Sequence, residues 1–395
     1  MSFKIFHQCG HNANWNRNSF TNHGNGAGLI FSPVHERMTQ IESYDSDLKL
    51  ASFFDPQFYL PNSQKTKLKE YPFFPESLAQ GFQTSNFEVL ALDAARLCIQ
   101  FQVEQDFERL IIPARFFEQM VTNYCESQDA YSVIPHLAAI EEFGNPSKKV
   151  YVTLPVTNHM ISDEGYRTAI LNWITGYPEI DGIYLIVSSQ RTRKQICDTD
   201  TIYNNLVFVR ELRESGLEVL MGYCNSESLL YSVVNDAQVT FGAYENTRLF
   251  SIDKFIVSED DQRGPRPRIY LQGLHNWVQL DQAREIRDAS TELWELIYEP
   301  TEESEEALNS VGPWHFGKSN LYMHHFSNLQ SLVSELDTME PSGAHSFLRD
   351  RMRLARDYYI AIDDVMVDLE QHGNGDHLSP WLAAINKYAR NFLAS

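Results

Sequence analysis

Asp55 closes the run Leu50-Ala51-Ser52-Phe53-Phe54 and stands directly before Pro56. A carboxyl on a rigid turn beside aromatic rings sits in surroundings that raise its pKa, which suits a general acid or base. The competing role is an Asp-Pro turn whose side chain bonds its own backbone. Glu245, after Gly242-Ala243-Tyr244, is the natural second carboxylate. An Asp and a Glu facing each other across one mouth serve glycosidic-bond chemistry, retaining or inverting according to their separation. Glu245 would equally suit the first turn of a helix as a favourable acidic residue. Arg115, Arg248 and the cluster Arg191-Thr192-Arg193-Lys194 place positive charge on an otherwise acidic chain. That contrast points to an anionic ligand. A phosphate at a helix start after Tyr244 would take backbone N–H groups and Arg248 as its partners. Gln57, Gln190 and Asn225 supply further polar contacts, and Tyr59 and Tyr244 supply rings on which a substrate base could stack.

These residues share one property of place: each follows a short apolar run. Eight such runs begin at Gly28, Leu50, Leu110, Val150, Ile183, Val219, Val239 and Ile269, mostly separated by helix-like stretches. Continuous rather than alternating apolar runs mark strands buried on both faces, as in a parallel sheet. Eight of them alternating with helices predict an α/β fold, a (β/α)8 TIM-type barrel of about 250 residues. Sites in such barrels lie at the C-terminal ends of the strands, where all the residues above fall.

The division expected from the pattern is an N-terminal extension over 1–27, the barrel over 28–298 and a helical appendage over 299–395. Lys4-Ile5-Phe6 has the character of a short strand, at the barrel bottom or at an edge. After the second run the connection is long and proline-rich, through Asp55–Asn62 and Tyr71–Glu76, which forbids a regular helix. It is either a binding loop or a segment laying its aromatics over the rim. Past Trp277 the strand signal ends, and helical periodicity runs around Leu321–Leu336, Ala344–Gln371 and Ser379–Ala394.

The chain carries 32 basic and 53 acidic residues, a formal charge of −21. Such a surface repels phosphate backbones, which excludes broad nonspecific nucleic-acid binding. No apolar run approaches the roughly 20 residues of a membrane span, so no membrane partner is expected. No signal-like apolar stretch opens the chain, and five scattered cysteines point to free thiols and a cytoplasmic setting. His7, Cys9, His11 and His23 gather early, but without a converging spacing, so no metal is expected. There is no GxSxG, Walker or Rossmann motif, and no cofactor is expected.

The stretch Leu220-Met221-Gly222-Tyr223 through Ser228-Leu229-Leu230, then Val239-Thr240-Phe241-Gly242, resembles the late strands of tRNA-guanine transglycosylase barrels. The resemblance implies an aspartate nucleophile near the end of strand seven and a cysteine-rich zinc site. Here Gly242 stands at the matching position and the zinc cysteines are missing, so neither role is carried over.

The expectation is therefore a barrel enzyme acting on a phosphate-bearing substrate, a small anionic or nucleotide-like molecule. It would be of hydrolase or glycosyl/base-transfer type. Asp55 and Glu245 would be catalytic, and Arg115, Arg191, Arg248, Gln57, Tyr59, Tyr244, Asn225 and Gln190 would bind. The alternative is a non-catalytic barrel that docks a protein partner through its C-terminal helices.

Overall fold

The apolar runs become parallel strands. In the computed structural model, which describes residues 3–79, 87–143, 147–189, 193–257 and 264–393, one sheet holds eight of them. They are β1 (Lys4–Gln8), β2 (Leu29–Phe31), β3 (Phe53–Phe54), β4 (Arg109–Ile112), β5 (Lys149–Thr157), β6 (Gly182–Ser188), β7 (Glu218–Met221) and β8 (Ala237–Gly242). Their order is β3-β2-β1-β8-β7-β6-β5-β4, and every neighbouring pair is parallel. Between β3 and β4 there is no ladder among the described residues. The Glu108 N–H donates to the Ser52 carbonyl at 3.1 Å just before β4. This is a nearly closed (β/α)8 barrel of TIM type, with helices on its outside.

Two expectations about the ends need correction. Residues 4–8 are not part of an extension: β1 lies inside the sheet, bonded to β2 on one side and to β8 on the other. The run at Ile269 is not the eighth barrel strand. It forms β9 (Arg268–Leu271), antiparallel to β10 (Asn276–Gln279) in a separate two-stranded sheet. The cause is local: His275 takes a left-handed φ of 51° after the turn Gln272–Leu274, and the chain reverses.

Alternation along the strands divides the core in two. Phe6, Phe53, Tyr151 and Tyr184 fall in one buried cluster, whereas Ile5, Val152, Leu185, Val239 and Phe241 fall in another with the surrounding helices. Phe6 and Phe53 have ring centroids 5.0 Å apart and Phe53 and Tyr151 6.2 Å, although other strands separate β1, β3 and β5 in the sheet. Side chains from alternate strands meeting in one layer are what fills a barrel of this size.

The C-terminal helices Asn320–Leu336, Pro341–Asp364 and Leu378–Phe392 bury Phe326, Leu329, Leu348, Trp381 and Ile385 in the same cluster as the outward faces of the strands. Trp381 Nε1 also donates to the Ile196 carbonyl at 2.8 Å. The appendage is therefore packed into the barrel wall. Among the described residues, no helix is long and apolar enough to cross a membrane.

Gly28 shows how tightly the start of β2 is seated against the chain entering β3. A Cβ there would lie 1.7 Å from the Ala51 carbonyl oxygen, a backbone atom that cannot swing aside. Gly28→Ala is expected to destabilise the fold by about 1–3 kcal/mol or more, read as a lower denaturant midpoint at unchanged slope.

Candidate active site

Because all eight strands run the same way, their C-terminal ends share one mouth. Asp55 follows β3 two positions after Phe53, so alternation turns its carboxyl inward beside the filled barrel interior. It is fully buried. Tyr59 donates its hydroxyl to both carboxyl oxygens, at 3.0 and 2.9 Å, and the Gln57 N–H donates to Oδ1 at 3.0 Å. Burial pushes the carboxyl up to about 7, although the bonds from Tyr59 and Gln57 and the charge of Lys254 oppose the rise. Desolvation is the winning effect here, as it is for buried carboxyls generally.

Gln57 ties this group to the neighbouring strands. Its Nε2 donates to Ser32 Oγ at 2.9 Å, and its Oε1 accepts from the Val34 N–H at 3.1 Å. Nε2 also reaches the Tyr223 hydroxyl at 3.4 Å. Gln57 and Tyr223 both hold left-handed backbone, with φ of 59° and 56°. Such conformations cost about 1–3 kcal/mol each for non-glycine residues and persist where the surrounding structure over-determines them. Here two of them meet side chain to side chain beside Asp55.

Lys254 completes the cluster. It sits in the 3₁₀ turn Ile252–Phe255, its Nζ 3.3 Å from the Tyr223 hydroxyl and 4.9 Å from that ring's centroid. Burial lowers its ammonium to about 8, with Asp55 pulling the other way. Tyr59, Tyr184 and Tyr223 are all pushed well above the usual phenol range by burial and then by Asp55, so they remain hydroxyl donors. Tyr184 donates to Gln8 Oε1 at 3.0 Å, at the end of β1. The arrangement is a carboxyl able to hold or release a proton near neutrality, fixed by a phenol and faced by an amine. That is equipment for proton transfer.

The other expected residues are distributed around the rim rather than gathered at Asp55. Glu245 is half-exposed and ion-paired with Lys194, and this bond, opposing burial, holds its carboxyl below the usual range. Its charge partners and those of Asp55 do not overlap. The segment after Tyr244 is a 3₁₀ turn, Glu245–Thr247, not a helix, because Thr247 is wedged against Gly10 and Gly242 and the turn stops there. The helix-start phosphate cradle is therefore absent. Arg248 is buried, with Cζ 4.1 Å over the Trp277 ring. Arg115 follows β4, opposite β8 in the sheet order, and stacks on Phe117 at 4.8 Å. Arg115 and Arg248 therefore do not converge.

Tyr59 is not available for stacking. Its hydroxyl serves Asp55, and its ring packs edge-on against Phe250 and Phe255 at 5.1 and 5.2 Å. Tyr244 is half-buried among rings, and Asn12 Nδ2 donates to its hydroxyl at 2.9 Å. Asn225 is buried, its Nδ2 donating to the Lys194 carbonyl at 3.1 Å. Gln190 and Arg191 lie outside the described residues.

Of the early histidines, His7 packs its ring against Phe241 and Phe326, with Nε2 2.9 Å from the Asn25 carbonyl, while His11 is exposed beside Tyr244. Glu36 is a second buried carboxylate near the mouth. It accepts from Arg17 Nη1 at 2.9 Å and from the Tyr44 hydroxyl at 2.8 Å, which marks it as a structural pair.

Lys254 is not among the residues expected from the sequence, yet the fold places it beside Tyr223 in this cluster. Its signal was a lone cation within Leu249-Phe250-Ser251-Ile252-Asp253-Lys254-Phe255-Ile256. Compared with protein-family models, with curated proteins and with solved structures, the chain matches none.

Proposed function

We propose that this barrel is an enzyme of acid–base type, acting on a phosphate-bearing substrate at its C-terminal mouth by hydrolysis or by glycosyl or base transfer. Asp55 is the proton-handling group. The observation that carries this reading is the buried Asp55 carboxyl, held on both oxygens by Tyr59 and raised to about 7. In the ionised form Asp55 takes a proton from the attacking group. In the protonated form it gives one to the leaving oxygen or nitrogen. Lys254 supplies the positive charge that favours an anionic substrate, and Tyr59 holds the carboxyl's orientation through the transfer.

The test is turnover of nucleotides, sugar phosphates and short single-stranded oligonucleotides, followed by chromatography, in wild type and Asp55→Asn. One class should be turned over by the wild type, and the variant should lose about 10²–10⁴ in rate. The rate should peak in the window bounded by Asp55 at about 7 and Lys254 at about 8. Equal rates for the two proteins, or no turnover across the panel, would remove the proposal.

A further inference from the structure

Arg248 carries a charge that the described part of the molecule leaves without a partner. It is 8% exposed, and its Nε and Nη1 have no hydrogen-bond partner among the described residues. Nor does any described carboxylate approach it within ion-pair distance; Glu245 is taken by Lys194. The groups that bear on its charge are Tyr322, Glu245, Arg268 and Glu227, of which Arg268 is another cation. A guanidinium out of water needs a counter-charge or a full set of acceptors, and one ring face does not replace them. His325 beside it gives no help, because burial and Arg248 itself hold that imidazole neutral.

What surrounds Arg248 is aromatic and partly open. Its Trp277 platform contacts Tyr322, with centroids 6.3 Å apart. Tyr322 stacks on Trp15 at 5.1 Å and 19°, and Tyr244 packs on both, at 5.1 Å from Tyr322 and 5.6 Å from Trp15. Trp15, Tyr244 and Tyr322 are each only partly buried, so this group of rings meets solvent. It also lies at the mouth: Tyr244 follows the end of β8, and Trp15 belongs to the helix Ala13–His23 that follows β1. β1 and β8 are neighbours in the sheet.

We infer that the rim between β1 and β8 is a binding site for a planar aromatic ring bearing an anionic group, the chemistry of a nucleoside monophosphate. The ring stacks on the Trp15–Tyr322–Tyr244 group, and the anion takes the free N–H groups of Arg248. A flat ring suits this surface because stacking on aromatic side chains needs no particular edge pattern. The anion suits Arg248 because a guanidinium offers phosphate a planar fork of donors. This names the substrate class of the reading given above and rests on its phosphate-bearing substrate, but it does not require Asp55 to be catalytic.

The experiment is equilibrium binding of adenosine monophosphate, adenosine and inorganic phosphate, read by calorimetry and by quenching of tryptophan fluorescence. The proteins are wild type, Arg248→Met, Arg248→Lys and Trp15→Leu. Adenosine monophosphate should bind wild type more tightly than either fragment does. Arg248→Met should weaken it by roughly tenfold or more, with Arg248→Lys intermediate because a point charge replaces the fork. Trp15→Leu should weaken adenosine monophosphate by roughly fivefold or more and leave inorganic phosphate unchanged. Trp15 is partly exposed, so that variant keeps the test open if the buried arginine proves necessary for folding. Absence of binding to wild type, or affinity indifferent to both sites, would overturn the inference. Arg248-dependent binding without turnover of any phosphate ester would remove the Asp55 reading and leave this one standing. Turnover that ignores whether the phosphate carries a ring would do the reverse.

Discussion

Asp55→Asn is expected to stabilise the protein by roughly 2 kcal/mol more near pH 7.5 than near pH 5.5. The folded protein holds this carboxyl at about 7, against an ordinary value of 3.8. Between those values the native state keeps a proton that the unfolded chain has released. Stability contributed by the group therefore falls as pH rises through that window and levels off once the native carboxyl ionises. Asparagine has no charge to bury and still offers an oxygen to Tyr59 and to the Gln57 N–H, so the variant lacks that slope. Keeping the comparison at or below pH 7.5, under the value of about 8 at which Lys254 is held, leaves that amine mostly protonated in the wild type. Thermal or denaturant unfolding of the two proteins at both pH values is the measurement. Parallel pH profiles would mean that Asp55 is an ordinary carboxylate, and the acid–base proposal would lose its foundation.

Phe326→Ala is the second large effect, an expected loss of about 3–5 kcal/mol. The side chain is fully buried and meets His7 edge-on at 4.8 Å and Phe241 at 5.0 Å. It is thus a knob from the helix Asn320–Leu336 set against β1 and β8 together. His7 is fixed on its other side by the Asn25 carbonyl and Phe241 lies in a ladder strand, so neither can collapse into the space left. Denaturant unfolding at constant slope reads the loss. A change below about 1 kcal/mol would show the helix to be a detachable attachment, not a part of the wall.

The parallel barrel was legible in the sequence because β2 to β8 are nearly continuous apolar runs, a direct mark of burial on both faces. The barrel has the eight strands expected, but its membership differs at both ends. Lys4–Gln8 alternates a short apolar core with Lys, His and Gln, and its membership is decided by pairing with β8, far away in the chain. The Ile269 run looked like its neighbours, yet a four-residue strand returning after His275 turned it into a hairpin. Asp55 was legible for a local reason: two phenylalanines before it and a proline after it fix its surroundings within a few residues. Its partners were less so. In the sequence Tyr59 has the character of a stacking ring, because nothing there indicates that Phe250 and Phe255 close over it. Arg248 was found by position, but Trp277 and Tyr322, which define its environment, come from the hairpin and a C-terminal helix.

The seam between β1 and β8 also sets a timetable for the chain as it is made. β1 is made before every other strand of the sheet, and its ladder along Gln238–Gly242 does not exist until the last barrel strand has emerged. Until then β1 exposes one unbonded edge, and closure must wait for contacts of very high sequence separation, which fold slowly. The knob at Phe326 arrives later still. From the emergence of β1 to that of β8 the nascent sheet therefore stays open, the state in which exposed strand edges can pair wrongly.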